Sequence, residues 1–227
     1  MLNYTVSRHD LDHILWDLDG TLHILSPELE STIESRYLEI YSEKKRLPIN
    51  DETREKLRQE SREYCSMAGY MAFGLKIKDI DSLIHSRINR RPYVSIDEKL
   101  IEMFDWFNRN LPDIKHHIFS AVPYNPIIQT LDGLGLERSL FTHIFAQDYI
   151  DEKIPNPYYK PLEDLCRWIV DFLETNAARI LAIGDSKKSD IKPAKSVGMR
   201  TVIVYHKSKL ADVSLSDVYQ VPKFFRI

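Results

Sequence analysis

The sequence predicts an α/β protein: a doubly wound parallel sheet with a small all-helical domain inserted after its first strand. Three observations carry this reading. Short apolar runs bounded by polar or turn residues recur at His13–Trp16, His117–Phe119, His143–Ala146, Arg179–Ile183 and Thr201–Tyr205, as expected of parallel strands covered on both faces. Helical patterns separate most of these runs, and strand–helix–strand alternation means a parallel sheet. The stretch from about Ser26 to Phe104 breaks the alternation: it holds helical patterns and no clear buried strand, and is too long for a simple crossover. The expected division is a core of residues 1–24 and 104–227 and a helical cap of residues 25–103.

The elements follow in order. Ser26-Pro27-Glu28 is a helix start, with Ser as N-cap, Pro at the first helical position and acids in the first turn. Leu29, Ile33, Tyr37 and Ile40 then mark one face. A second helix is expected from about Asp51 to Ala68, with Leu57, Tyr64 and Ala68 inward, and shorter helical pieces over Ile80–Ile88 and Ile96–Phe107. In the core, Asn125-Pro126 opens a helix that carries Ile127, Ile128, Leu131 and Leu134 and ends near Gly133 and Gly135. Leu162, Leu165, Ile169 and Phe172 repeat at helical spacing, and Ile191–Val197 is a short helix stopped by Gly198. Trp16 and Trp168 read as core and Trp106 as part of the last cap-side helix, while His116 and His117 read as structural.

Composition excludes several classes. A chain of 227 residues can bury a core without staples. With 43% hydrophobic and 29% charged residues, global disorder is ruled out. A formal charge of −3 and a pI near 6.2 give no basic surface for a nucleic-acid polymer. No stretch is apolar enough for a secretory signal or a membrane span, so a cytoplasmic location without membrane association is expected. Cys65 and Cys166, far apart in sequence, exclude a disulfide scaffold and most zinc modules.

The chemistry sits where apolar runs end. The first runs into Asp17-Leu18-Asp19-Gly20-Thr21. Side chains two apart in an extended chain point the same way, and ligands of open α/β sheets bind beyond the carboxyl ends of the strands. Gly20 permits a sharp turn there, and Thr21 offers a hydroxyl. The fourth run ends in Gly184-Asp185-Ser186-Lys187-Lys188-Ser189-Asp190. Four clustered carboxylates repel without a cation, and Mg²⁺ suits such an oxygen site. Ser120 ends the second run, and its hydroxyl can donate to a phosphate oxygen. Lys160-Pro161 precedes a helix, with Pro161 at its first position, and a lysine there would neutralise carboxylate and phosphate.

These four positions, in this order, resemble the haloacid dehalogenase superfamily of phosphohydrolases, whose core is Rossmann-like. Asp17–Thr21 matches its Asp-x-Asp-Gly-Thr motif, Ser120 the strand-end Ser/Thr, Lys160-Pro161 the Lys-Pro, and Gly184–Ile191 the Gly-Asp-Ser-x-x-x-Asp-Ile pattern. The resemblance implies that Asp17 attacks phosphorus to form an aspartyl-phosphate. Asp19 would protonate the leaving oxygen and then deprotonate water. Mg²⁺ would bind Asp17, the backbone carbonyl of Asp19 and Asp185, with Asp190 holding a metal-bound water or Lys160. Ser120, Lys160 and backbone N–H groups near Gly20 would hold the phosphoryl oxygens. Asp19 favours phosphate transfer over dehalogenation. Ala121 departs from the Asn or Gly that many relatives carry after the strand-end hydroxyl.

A cap between the first two motifs is typical of one large branch of the superfamily. Tyr64–Leu75 is similar to the pyrimidine 5′-nucleotidase-like group, although Asp-Gly-Thr-Leu-His23 departs from the Asp-Asn-Thr-Leu-Tyr frequent there. The expected substrate is a small phosphorylated metabolite, with a nucleoside 5′-monophosphate as first candidate. A sugar-phosphate phosphatase or phosphomutase, and a non-catalytic regulator of the same fold, are the alternatives. Tyr70, Met71 and Phe73 could stack a base or pack cap on core. His23 could touch the leaving group or cap the turn. Arg87, Arg90 and Arg91 could hold a second anion, although a solvated helix end is the ordinary reading. Oligomeric state is left open.

Overall fold

The computed structural model describes residues 6–7, 10–63, 84–148 and 162–226. After a two-residue strand β1 (Val6–Ser7), β2 (His13–Trp16) is followed by α1 (Pro27–Lys45) and α2 (Asp51–Glu63). Two short 3₁₀ turns, His85–Arg87 and Arg91–Tyr93, lead back to α3 (Glu98–Asn110) and β3 (Lys115–Phe119). Then come α4 (Tyr124–Leu134), β4 (Phe141–Phe145), α5 (Leu162–Phe172) and β5 (Ile180–Gly184). A π-helical turn (Lys187–Ile191) runs into α6 (Lys192–Ser196), then β6 (Arg200–Val204) and β7 (Val213–Leu215). A 3₁₀ segment, Val218–Phe224, precedes β8 (Phe225–Arg226).

β4-β3-β2-β5-β6-β7 form one wholly parallel sheet. Each of the five anticipated strands is present. β7 is a sixth that the hydropathy pattern does not announce: it has three residues, and its central Ser214 is half-buried. β1 and β8 pair separately, likewise unanticipated. The chain starts in the middle, winds outward through β3 and β4, returns to β5 and winds outward the other way. The switch point therefore lies at β2 and its neighbours β3 and β5, where open sheets place their ligands.

The central strands are buried on both faces, which is why they read as continuous apolar runs. Ile14, Trp16, Leu181 and Ile183 face one layer, with Phe104 and Phe107 of α3 and Leu131 of α4. Leu15, Ile180 and Ala182 face the other, with Leu165 and Ile169 of α5 and Ala194 of α6. A separate cluster joins Leu29, Tyr37, Leu38 and Ile40 of α1 to Leu57 of α2 and to Ile84 and Ile88. Helix α3 crosses residue 103 as one piece, and its Leu100 and Met103 pack into the sheet's core rather than with α1 and α2.

The expected start of α1 is present: Ser26 Oγ accepts from Leu29 N at 3.2 Å, with Pro27 first in the helix. α3 starts at Glu98, capped by Asp97, whose carboxylate accepts from Leu100 N at 3.0 Å. α4 begins at Tyr124, a residue ahead of the Asn125-Pro126 expected to open it. The short helix before Gly198 is preceded by the π turn, which ordinary helical spacing does not reveal. The continuation of α2 toward Ala68, with Tyr64, lies outside the described residues.

Candidate active site

Asp17 follows the last residue of β2. Its N–H donates to the Ile183 carbonyl at 2.9 Å, which prolongs the β2–β5 ladder by one rung and sets the side chain at the strand end. Thr21 Oγ1 donates to Asp17 Oδ2 at 2.8 Å. Asp185 follows Gly184, the last residue of β5. Asp190 returns to the same place on the π turn, where its Oδ2 accepts from Ser186 N at 2.8 Å. Gly184 makes that return possible, since a Cβ there would lie 2.2 Å from Asp190 Oδ2. Gly20 serves similarly: its φ of +94° is left-handed, and a Cβ would meet the Asp185 carboxyl group at 2.8 Å.

Asp17, Asp185 and Asp190 each present a carboxylate oxygen within 4.8 Å of the others. Burial, with the neighbouring Asp190 charge, pushes Asp17 well above the usual carboxylate range. Burial likewise raises Asp185, and lifts Asp190 to about 6. The shifts share a cause: three partly buried carboxyl groups crowded together at the strand ends. An all-oxygen donor set of this kind fits a hard divalent cation such as Mg²⁺.

Asp19 stands apart from that group. The turn after β2 folds back through an isolated bridge between Asp19 and His23, with Gly20 N donating to His23 O at 2.8 Å. The Gly20 N–H is thus satisfied within the turn. His23 Nδ1 lies 3.3 Å from Asp19 Oδ1, and Arg90 Nη1 lies 2.8 Å from the same carboxylate. Burial alone would raise Asp19, but the His23 hydrogen bond and the Arg90 charge together hold it below its ordinary value. His23 therefore both closes the turn and touches Asp19. Arg90 is 1% exposed, which overturns its reading as part of a solvated helix end. Its carboxylate partner is 71 residues away in sequence, and nothing in the local pattern distinguishes it from exposed Arg87 or from Arg91, which pairs with Asp132 at 2.6 Å.

Ser120 follows β3. Its N–H donates to Phe145 O at 3.1 Å, and its Oγ accepts from Val122 N at 3.3 Å, leaving the hydroxyl hydrogen for another acceptor. A cavity of about 1020 Å³ has Asp17, Asp19, Ser120, Asp185 and Asp190 in its wall. α1 and α2 supply the opposite wall, where Glu34 accepts from Arg54 at 3.4 Å and from Arg58 Nη2 at 3.1 Å. Of the helix residues in that wall, Ile33, Tyr37 and Leu57 stand out in the sequence as members of apolar faces and Pro27 as a helix start; Glu34, Arg54 and Arg58 look like ordinary surface charges until the two helices are seen together. Lys160, Tyr70, Met71 and the Tyr64–Leu75 segment lie outside the described residues.

A doubly wound sheet whose central strand ends converge on an acidic, oxygen-only centre beneath a helical insert defines an enzyme of the α/β hydrolytic class. The family model for haloacid dehalogenase-like hydrolases matches residues 14–204. The chain belongs to that family, and it is a hydrolase of that kind. No curated protein matches the sequence. Among solved structures, a HAD phosphatase from Thermococcus onnurineus is similar at a TM-score of 0.62 and 20% identity, covering 94% of this chain and 97% of its own. A putative HAD-hydrolase from Bacillus subtilis, bound to magnesium, is similar at 0.59 and 13%, covering 96% and 99%. A putative β-phosphoglucomutase from Thermotoga maritima is similar at 0.59 and 17%, covering 94% and 97%. These likenesses are likenesses of fold.

Proposed function

We propose that the protein is a Mg²⁺-dependent phosphatase acting on a small phosphate monoester through an aspartyl-phosphate on Asp17, with a nucleoside 5′-monophosphate as the first substrate to try. The observation that carries the proposal is the separation of the four carboxylates. Three of them form a cation-ready group, while Asp19 is held aside by Arg90 and His23 in the same cavity. A dehalogenase needs no such second acid.

Asp17 Oδ attacks phosphorus, and the bond from phosphorus to the ester oxygen breaks as Asp19 delivers a proton to that oxygen. The doubly charged phosphate arriving beside Asp19 favours its protonated form, because like charges raise a carboxyl pKa. Asp19, then ionised, takes a proton from water, whose oxygen attacks the aspartyl-phosphate and regenerates Asp17. The Ser120 hydroxyl and the Lys160 ammonium bind the phosphoryl oxygens through the transfer. Asp17, Asp185 and the Asp19 backbone carbonyl would hold Mg²⁺, with Asp190 behind them. Bound there, the ion supplies positive charge against which nucleophile and phosphate can approach. The insert of residues 25 to about 94 acts as the cap that selects the leaving group, and the cavity's size leaves room for one much larger than phosphate itself.

The test is phosphate release from a panel of purine and pyrimidine 5′-monophosphates, sugar phosphates and p-nitrophenyl phosphate, with Mg²⁺ and with a chelator. We expect turnover that needs Mg²⁺ and falls by at least about 10³-fold in Asp17→Asn, as removal of a covalent nucleophile does. An unchanged Asp17→Asn rate, or an inert wild type, would overturn the proposal.

A further inference from the structure

Arg90 has no counterpart among the sequence motifs, yet it is among the largest fully buried side chains described. A buried guanidinium costs several kcal/mol unless it is paired, so its partners show what it is for. Nη1 lies 2.8 Å from the Asp19 carboxylate and 3.4 Å from Thr130 Oγ1, while the backbone N of Arg90 donates to Gln129 Oε1 at 2.8 Å. Arg90 is thus seated on α4, part of the core, and reaches the turn after β2. The segment that carries it belongs to the insert at its other end. Ile84 and Ile88 pack with α1 and α2, and His85 Nε2 lies 3.1 Å from the Tyr37 hydroxyl of α1. Arg90 therefore stands where the helical insert returns to the sheet, and its charge ends on one carboxylate of the cavity.

That carboxylate is the one missing from the cation-ready group. Asp19 lies only two residues from Asp17, and the two share a cavity, so a cation held by Asp17, Asp185 and Asp190 would attract Asp19 as a further ligand. A permanently charged arginine competes for it without offering or taking a proton. We propose that Arg90 is a positioning residue: its ion pair keeps the Asp19 carboxylate out of the metal cluster and in place for proton transfer, and ties that placement to the segment joining insert and sheet. The inference rests on the phosphatase reading, in which Asp19 is the acid and base.

The experiment compares p-nitrophenyl phosphate, whose leaving group needs little protonation, with the best alkyl ester of the panel. It uses Arg90→Met, Arg90→Lys and Gln129→Ala, with Asp19→Asn as the benchmark. A misplaced acid is expected to lower kcat for the alkyl ester about ten- to a hundredfold more than for the aryl ester, with KM nearly constant. Arg90→Met should share that signature with Asp19→Asn, Arg90→Lys should restore part of it, and Gln129→Ala, which only loosens the seat, should show it weakly. Calorimetric Mg²⁺ titration should give tighter binding in Arg90→Met as Asp19 joins the cluster. Should Arg90→Met fail to fold, the lysine and Gln129 variants carry the same comparison. Equal losses on both esters with unchanged Mg²⁺ affinity would overturn the inference and leave the phosphatase reading standing. A wild type inert on every ester would remove both.

Discussion

Asp190 reaches the acidic centre only because residue 184 has no side chain. A methyl group at that Cα would sit 2.2 Å from the Asp190 carboxylate, so Gly184→Ala must displace either the π turn or the end of β5. We expect Gly184→Ala to fold with a loss of about 1–3 kcal/mol, as overpacking does. It should also bind Mg²⁺ at least about tenfold more weakly, as expected when a ligand or its support is moved. Urea unfolding and calorimetry measure the two effects, and wild-type Mg²⁺ affinity in this variant would show that Asp190 has no part in the cation site. Gly184, Asp17, Asp19 and Asp185 were legible in the sequence because each lies at or just past the end of an apolar run, and Asp190 because it stands in the same short stretch as Gly184 and Asp185. Arg90 was not, because its meaning depends on a partner brought close only by folding. The charged group of Glu34, Arg54 and Arg58 was hidden for the same reason, since its members come from two helices.

At the scale of the element, β3 carries an unusual load: His116 is 5% exposed and His117 fully buried. Trp16 Nε1 donates to His116 Nδ1 at 3.0 Å, and His117 Nε2 lies 2.9 Å from His13 Nδ1. Burial drives His116 down to about 4 and, with the nearby His13, His117 to about 3. An unfolded histidine titrates near 6.5. Below that pH the unfolded chain takes up protons that the folded chain refuses, so stability falls as pH drops from about 6.5 toward 4. Each such histidine contributes about 1.4 kcal/mol per pH unit across its window. In saturating Mg²⁺, which at the proposed cation site would keep the acidic cluster ionised, the urea midpoint should therefore be clearly lower at pH 5 than at pH 7, and a flat profile would contradict the burial of these rings. The inner strands were readable because two-sided burial leaves an unbroken apolar run. β7 was not, because an edge strand of three residues with a half-buried serine at its centre resembles a loop. The start of α1 was readable from Ser26 and Pro27, where local chemistry decides the conformation, whereas the π turn depends on Asp190 reaching back over Gly184.

On the scale of the whole molecule, two bodies of apolar packing lie on either side of one cavity. Leu57 is 3% exposed and belongs to the cluster of the helical insert. Leu57→Ala should cost about 2–5 kcal/mol locally. Hydrogen exchange should quicken in α1 and α2 while the amides of β2, β3 and β5 keep their protection, because weakly coupled units open separately. Loss of protection throughout would show that insert and sheet unfold as one. The sheet has a different temperament. The amide of Asp17 is itself a rung between the two central strands, and a one-residue slip of that pair would carry Asp17 out of step with Asp185 and send the side chains of β2 into the opposite packed layers. A misregistered molecule therefore has to repack both layers at once, with large side chains set where small ones fitted. Such a chain cannot settle as a well-packed impostor: the same packing that stabilises the sheet keeps Asp17 beside Asp185 and Asp190.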